Sequence, residues 1–122
     1  MARTLDQQRA AFAWQAASAG MQRHDDDYKR LAKGAPALIM ASGLMPTLAF
    51  YAGKRDAHEM LLNDICAWFT QRFADRPEYR PAPHDFAGVM GKLQGQSSTF
   101  YLEATDEALE ILKWIRQFVD AV

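Results

Sequence analysis

Between Asp56 and Phe73 the apolar residues Leu61, Leu62, Ile65, Trp68, Phe69 and Phe73 recur every three or four positions, while Glu59, Asn63, Asp64 and Gln71 fall between them. A period of 3.6 residues places the first group on one face of a helix and the second on the other. The pattern returns near the C-terminus. There Tyr101, Ala108, Leu109, Leu112, Ile115 and Val119 form one stripe, and Phe100, Ile111, Trp114 and Phe118 a second. No segment reads as a strand. The expected fold is therefore all-α, a compact bundle of about five to seven helices in one domain over residues 1–122.

Capping and breaking residues divide the rest of the chain. Thr4 with Gln7 reads as a capping box opening a helix that runs to about Gly20, with Leu5, Phe12, Ala13 and Ala16 along one side. Asp25, Asp26 and Asp27 read as the cap of a second helix from about Asp26, because acids favour a helix N-terminus. That helix is expected to end near Lys33 and Gly34, with Pro36 opening the next. Ala37 to Ala41 is apolar all round, which predicts a short buried helix ended by a left-handed Gly43. Pro46 then opens a second short helix, Thr47 to Ala52, closed by Gly53, and Asp56 caps the amphipathic helix that follows. Within this region Leu31, Pro36, Leu38, Ile39, Leu44, Leu48 and Phe50 are expected to build core. Pro77, Pro81 and Pro83 mark residues 74–86 as a loop with scope for mobility. A short helix is expected around Phe86 to Leu93, and Ser97 or Ser98 starts the last one.

Charge is distributed unevenly. Residues 1–55 hold eight Lys/Arg against four Asp, a balance of +4, and residues 56–122 hold six against eleven Asp/Glu, a balance of -5. The stretch from Tyr28 to Arg55 contains Lys29, Arg30, Lys33, Lys54 and Arg55 and no acid. A net charge of -1 thus conceals a basic region able to attract a polyanion, or one half of the chain able to attract the other.

Catalytic constellations are not evident. His24, His58 and His84 are far apart in sequence and lack partners at metal-ligand spacing, and His58-Glu59 has no second histidine four residues on. Cys66 is the only cysteine and sits beside an apolar stripe, so a buried thiol is expected rather than a nucleophile, and no internal disulfide can form. Gly88, Gly91 and Gly95 are not followed by the Lys-Ser/Thr of a phosphate loop. No metal, cofactor, small-molecule substrate or membrane partner is expected, and a reducing cytoplasm is the expected setting.

The most specific signal is a set of ordered blocks. Gln7-Gln8-Arg9-Ala10-Ala11-Phe12-Ala13-Trp14 opens the chain, followed by Tyr28-Lys29-Arg30-Leu31-Ala32-Lys33-Gly34-Ala35-Pro36 and by Gly43-Leu44-Met45-Pro46-Thr47-Leu48-Ala49-Phe50. Thr105-Asp106-Glu107-Ala108-Leu109-Glu110-Ile111-Leu112-Lys113-Trp114 closes it. In order and spacing these blocks resemble the small helical subunit of type III-B CRISPR effector complexes, the fifth member of the Cmr set.

The resemblance implies a non-catalytic ribonucleoprotein subunit that stacks in a few copies, contacts other Cmr subunits and lines the groove holding guide RNA paired with target RNA. It implies that target cleavage belongs to the backbone subunit. It also leads one to expect a basic residue near Leu102-Glu103, where this chain is acidic. Combined with the charge map, it nominates Arg9, Arg23, Lys29, Arg30, Lys33, Lys54 and Arg55 as phosphate contacts. The alternative is a helical protein–protein adaptor without RNA contact, docking through an exposed stripe of Phe100, Trp114 and Phe118.

Overall fold

The computed structural model describes residues 2–122, which form six α-helices, one turn of 3-10 helix and no strand. The helices are α1 (Leu5–His24), α2 (Asp26–Ser42), α3 (Leu44–Ala52), α4 (Ala57–Arg72), α5 (Phe86–Gly95) and α6 (Ser98–Phe118). The two longest, α1 and α6, pack against each other, and α2 and α4 complete the core around them. The short α3 lies over α2 and α4, and α5 closes the far side against α6.

The start of α1 follows the expected chemistry. The Thr4 hydroxyl accepts from the Gln7 amide at 3.1 Å, and the Gln7 side chain accepts from the Thr4 amide at 2.7 Å. The helix then continues past Gly20 to His24. Gly20 is not a terminator. A Cβ there would lie 2.5 Å from the Tyr28 ring, so the glycine lets α2 approach α1 closely.

Where Gly34 and Pro36 predict a break, α2 continues through both. The buried residues Tyr28, Ala32, Ala35 and Ile39 explain why, since their spacing of four, three and four keeps one face on the core across the proline. Packing of that face outweighs the roughly 3 kcal/mol that an internal proline costs. The expected buried helix at Ala37 to Ala41 is corrected as well. Ile39 is buried and Leu38 partly so, but Met40 is 77% exposed. Phe50 is not core either, being half exposed. Gly43 does end α2 in the left-handed region, with φ 96°, and α3 begins at once with Leu44.

Asp25 and Asp56 hold the N-cap positions of α2 and α4, yet neither side chain makes a capping hydrogen bond. Both have positive φ, 45° and 60°, a region that disfavours side chains with a Cβ. The caps of α5 and α6 are conventional: Asp85 accepts from the Gly88 amide at 2.8 Å and Ser97 from the Phe100 amide at 3.1 Å.

The proline-rich segment is anchored. Tyr79, on the 3-10 turn Pro77–Tyr79, is 1% exposed and packs with Phe73 and Phe100 at centroid distances of 5.6 and 6.1 Å. Arg76 holds the Glu103 carboxylate with two bonds of 2.7 and 2.8 Å and also reaches Glu78. Glu103 thus ties the loop to α6.

One carboxylate sits inside the bundle. Glu107 of α6 is 5% exposed and receives Arg9 of α1 at 2.6 and 3.3 Å, Trp68 of α4 at 3.0 Å and Arg72 of α4 at 3.1 Å. Burial raises the Glu107 carboxyl, but hydrogen bonds from Arg9 and Trp68 and the Arg9 charge outweigh it, leaving the group below its ordinary value.

Removing Glu107 leaves two guanidiniums and an indole N–H without their shared acceptor, so Glu107→Ala should lose about 3 kcal/mol in chemical denaturation. Because the folded carboxyl is the stronger acid, its contribution is present at neutral pH and fades as pH falls below about 4.3. The wild-type advantage over Glu107→Gln should shrink there, and a constant difference would contradict the assignment. Glycine relieves positive φ, so Asp25→Gly and Asp56→Gly should each stabilise by about 1 kcal/mol, read as a higher Tm.

Candidate nucleic-acid interface

The seven nominated cations do not form one surface. Arg9 belongs to the Glu107 network, with a second bond to Asp6 at 2.9 Å and a side chain only 13% exposed. It is a structural residue, which corrects its nomination as a phosphate contact. Lys29 and Lys33 lean onto Asp120 beyond the end of α6, at 3.5 and 2.8 Å. The hydrogen bond from Lys33 is the main reason the Asp120 carboxyl is lowered. These two lysines join the basic region to the acidic C-terminal half, so part of the charge asymmetry is satisfied internally.

Four cations remain available around the junction of α3 and α4. Arg23, Lys54 and Arg55 make no ion pair within 4.0 Å among the described residues. Arg30 pairs only with Asp27, one turn back on the same helix, and its side chain stays 73% exposed. Such a pair contributes a few tenths of a kcal/mol and yields readily to a stronger anion. Lys54 Nζ stands 5.1 Å from the centre of the Phe50 ring. Arg23 and Arg55 line one open cleft of about 870 Å³ with His24, Asn63 and the acids Asp56, Glu59 and Asp64. Arg30 lines the neighbouring hollow with Phe50 and Tyr51. The belt Arg30, Lys54, Arg55 and Arg23 therefore follows the α3–α4 connection, with acids on its cleft side.

The three aromatic residues nominated for protein docking are also redistributed. Phe100 is 1% exposed and stacks near Phe73, at 5.0 Å between centroids, so it is core and not a docking residue. Trp114 and Phe118 are half-buried, and Trp14 of α1 covers Phe118 edge-on at 5.0 Å. The two stripes of α6 form one broad arc turned toward the core, buried or half-buried throughout. The exposed member of this aromatic group is Trp14, at 47%.

The perturbed groups answer to packing. Burial pushes the Cys66 thiol up to about 11, which keeps it protonated at neutral pH. Burial pushes the Asp64 carboxyl up to about 6, against a Tyr28 hydroxyl that donates to it at 2.7 Å. Among the described residues no three His, Cys, Asp or Glu side chains are grouped to hold a metal ion, and no helix is long and apolar enough to cross a membrane.

Asp64 makes the cleft sensitive to pH. A raised carboxyl means the folded state binds its proton more tightly, so ionising Asp64 lowers stability as pH rises from about 4 to about 6. Asp64→Asn should therefore be more stable than wild type at pH 7.5, with the difference vanishing near pH 4. Parallel stability curves for the two proteins would contradict this.

The family model for "CRISPR-associated protein (Cas_Cmr5)" matches residues 5–122. The fold is similar to the crystal structure of a CRISPR-associated Cmr5 family protein from Thermus thermophilus, with a TM-score of 0.76 and 24% sequence identity. The match covers 98% of this chain and 97% of that one. With its six helices accounted for and nearly its whole length matched, the chain belongs to the Cmr5 family of CRISPR-associated proteins, as befits a small subunit of a type III Cmr complex.

Proposed function

We propose that this chain is a non-catalytic subunit of a cytoplasmic type III Cmr ribonucleoprotein, stacking with further copies and other Cmr subunits, and that it steadies the guide–target RNA through its phosphates. The observation that supports the RNA contact is the belt of Arg23, Arg30, Lys54 and Arg55. None of the four is tied to an acid of another element, whereas Arg9, Lys29 and Lys33 are. Phosphate contacts add affinity without reading sequence, as suits a complex whose specificity comes from base pairing. Phe50, half exposed beneath Lys54, adds an aromatic face beside the belt.

A docking stripe without RNA contact loses Phe100, its first residue, to the core. With four cations in place of the seven nominated, the salt dependence is correspondingly shallower. Four phosphate contacts on single-stranded RNA give a log–log slope of about -2.8, which is roughly a 50-fold loss of affinity between 50 and 200 mM salt. Fluorescence anisotropy on a labelled oligoribonucleotide should show this slope. Reversing the four belt residues to Glu should abolish it, while Lys29→Glu with Lys33→Glu should change it little. One copy binds weakly and stacked copies add through avidity, so the measurement belongs on the assembled complex as well. A flat salt response in both settings would refute the RNA contact.

A further inference from the structure

The face between the C-terminal half of α2 and α3 is apolar and uncovered. A hollow of about 430 Å³ is lined by Arg30, Leu31, Gly34, Leu38, Phe50 and Tyr51, with Ala37 and Ala41 along its floor. Over Leu38 and Phe50 it continues into a second hollow of about 240 Å³, bounded by Ser42, Pro46 and Thr47. Phe50, which lines both hollows, is 50% exposed. Water against so much apolar surface is unfavourable unless another chain covers it.

Gly34 points the same way. It lies inside α2, where glycine costs about 1 kcal/mol relative to alanine. A Cβ at Gly34 would meet nothing within 4 Å, so no neighbour in this chain requires the glycine. With Ala37 and Ala41 one and two turns further on, it leaves a smooth channel in which a second helix can approach the α2 backbone. The rim is basic. Arg30 lines the first hollow, Lys54 stands over the Phe50 ring, and no acid lines either hollow.

We propose that this groove seats an amphipathic helix from another protein chain, one with an apolar ridge flanked by acidic residues. The apolar floor calls for a ridge of side chains, and the basic rim calls for acids beside it. A second copy fits less well. Leu102 is the only exposed large hydrophobic on α6 and Trp14 the only one on α1, so neither outer face offers a ridge. The groove shares Arg30, Lys54 and Phe50 with the proposed RNA contact, but its α2 floor of Gly34, Ala37 and Ala41 is uncharged and lies outside the cationic belt.

The test uses three synthetic 20-residue helical peptides with one shared Leu/Ala ridge and flanks of Glu, Gln or Lys. Anisotropy titration against the full chain should give at least tenfold tighter binding for the Glu peptide than for the Lys peptide. Gly34→Leu, whose Cβ has open space around it, should abolish that binding, and Phe50→Ala should weaken it. Gly34→Leu leaves the belt's four charges and Phe50 in place, so RNA binding is read separately on that protein. Gly34→Ala should raise Tm while lowering affinity for the Glu peptide, a combination that a purely structural glycine does not produce. Binding that ignores the flank charge, survives Gly34→Leu or is absent for all three peptides would overturn the proposal. So would concentration-dependent self-association that buries Gly34 and Phe50, which would identify a second copy as the occupant.

Discussion

The Glu107 carboxylate is the interaction on which the bundle depends. It is held by an arginine from α1, an arginine and an indole from α4, and its own backbone on α6. Three elements distant in sequence are fixed by one acceptor, with the spacing set by bonds of 2.6–3.3 Å. A buried ion pair is weak evidence of net stability, because desolvation offsets much of its attraction, but losing one partner leaves the others uncompensated. Its main consequence here is register. Apolar stripes tolerate sliding along a helix axis more readily than a carboxylate with three donors does. With α1, α4 and α6 locked, α2 is wedged between them through Tyr28, whose ring fills the space left open at Gly20.

The locked register also decides which charges are available. Arg9 is drawn inward, and Asp120, just beyond α6, takes Lys29 and Lys33. Of the nominated cations, Lys54 and Arg55 sit where α3 turns into α4, with Arg23 and Arg30 lining the clefts beside them. A near-neutral chain thereby keeps a short basic belt, with an apolar groove at one end and an acid-bearing cleft at the other.

Much of the helix pattern was legible in the sequence because it depends on local chemistry. The Thr4–Gln7 capping box, the Leu61 to Phe69 stripe and the left-handed Gly43 each carry their reason within a few residues. The misplaced features depend on residues far away. Gly34 and Pro36 signal a break, and only the core face of Tyr28, Ala32, Ala35 and Ile39 shows that packing overrides it. That i, i+4, i+7, i+11 spacing was present in the sequence, and weighing it against the proline would have found the continuous helix. Phe100 reads as surplus on α6 until Phe73 and Tyr79 are placed beside it. Arg9 reads as a free cation until Glu107, 98 residues on, is brought to it. Ion pairing across such separations has no local signal, so cation lists drawn from sequence overstate a binding surface.

In the proposed arrangement RNA meets this subunit along Arg23, Arg30, Lys54 and Arg55 and not along the basic stretch as a whole. The most direct measurement is ultraviolet cross-linking of a Cmr complex containing this chain, assembled on a guide RNA with photoreactive nucleotides, followed by mass spectrometry of the cross-linked peptides. Cross-links are expected within residues 23–30 and 50–55, with none at Arg9. Cross-links confined to α5 and α6, or centred on Lys33 and Asp120, would contradict the belt.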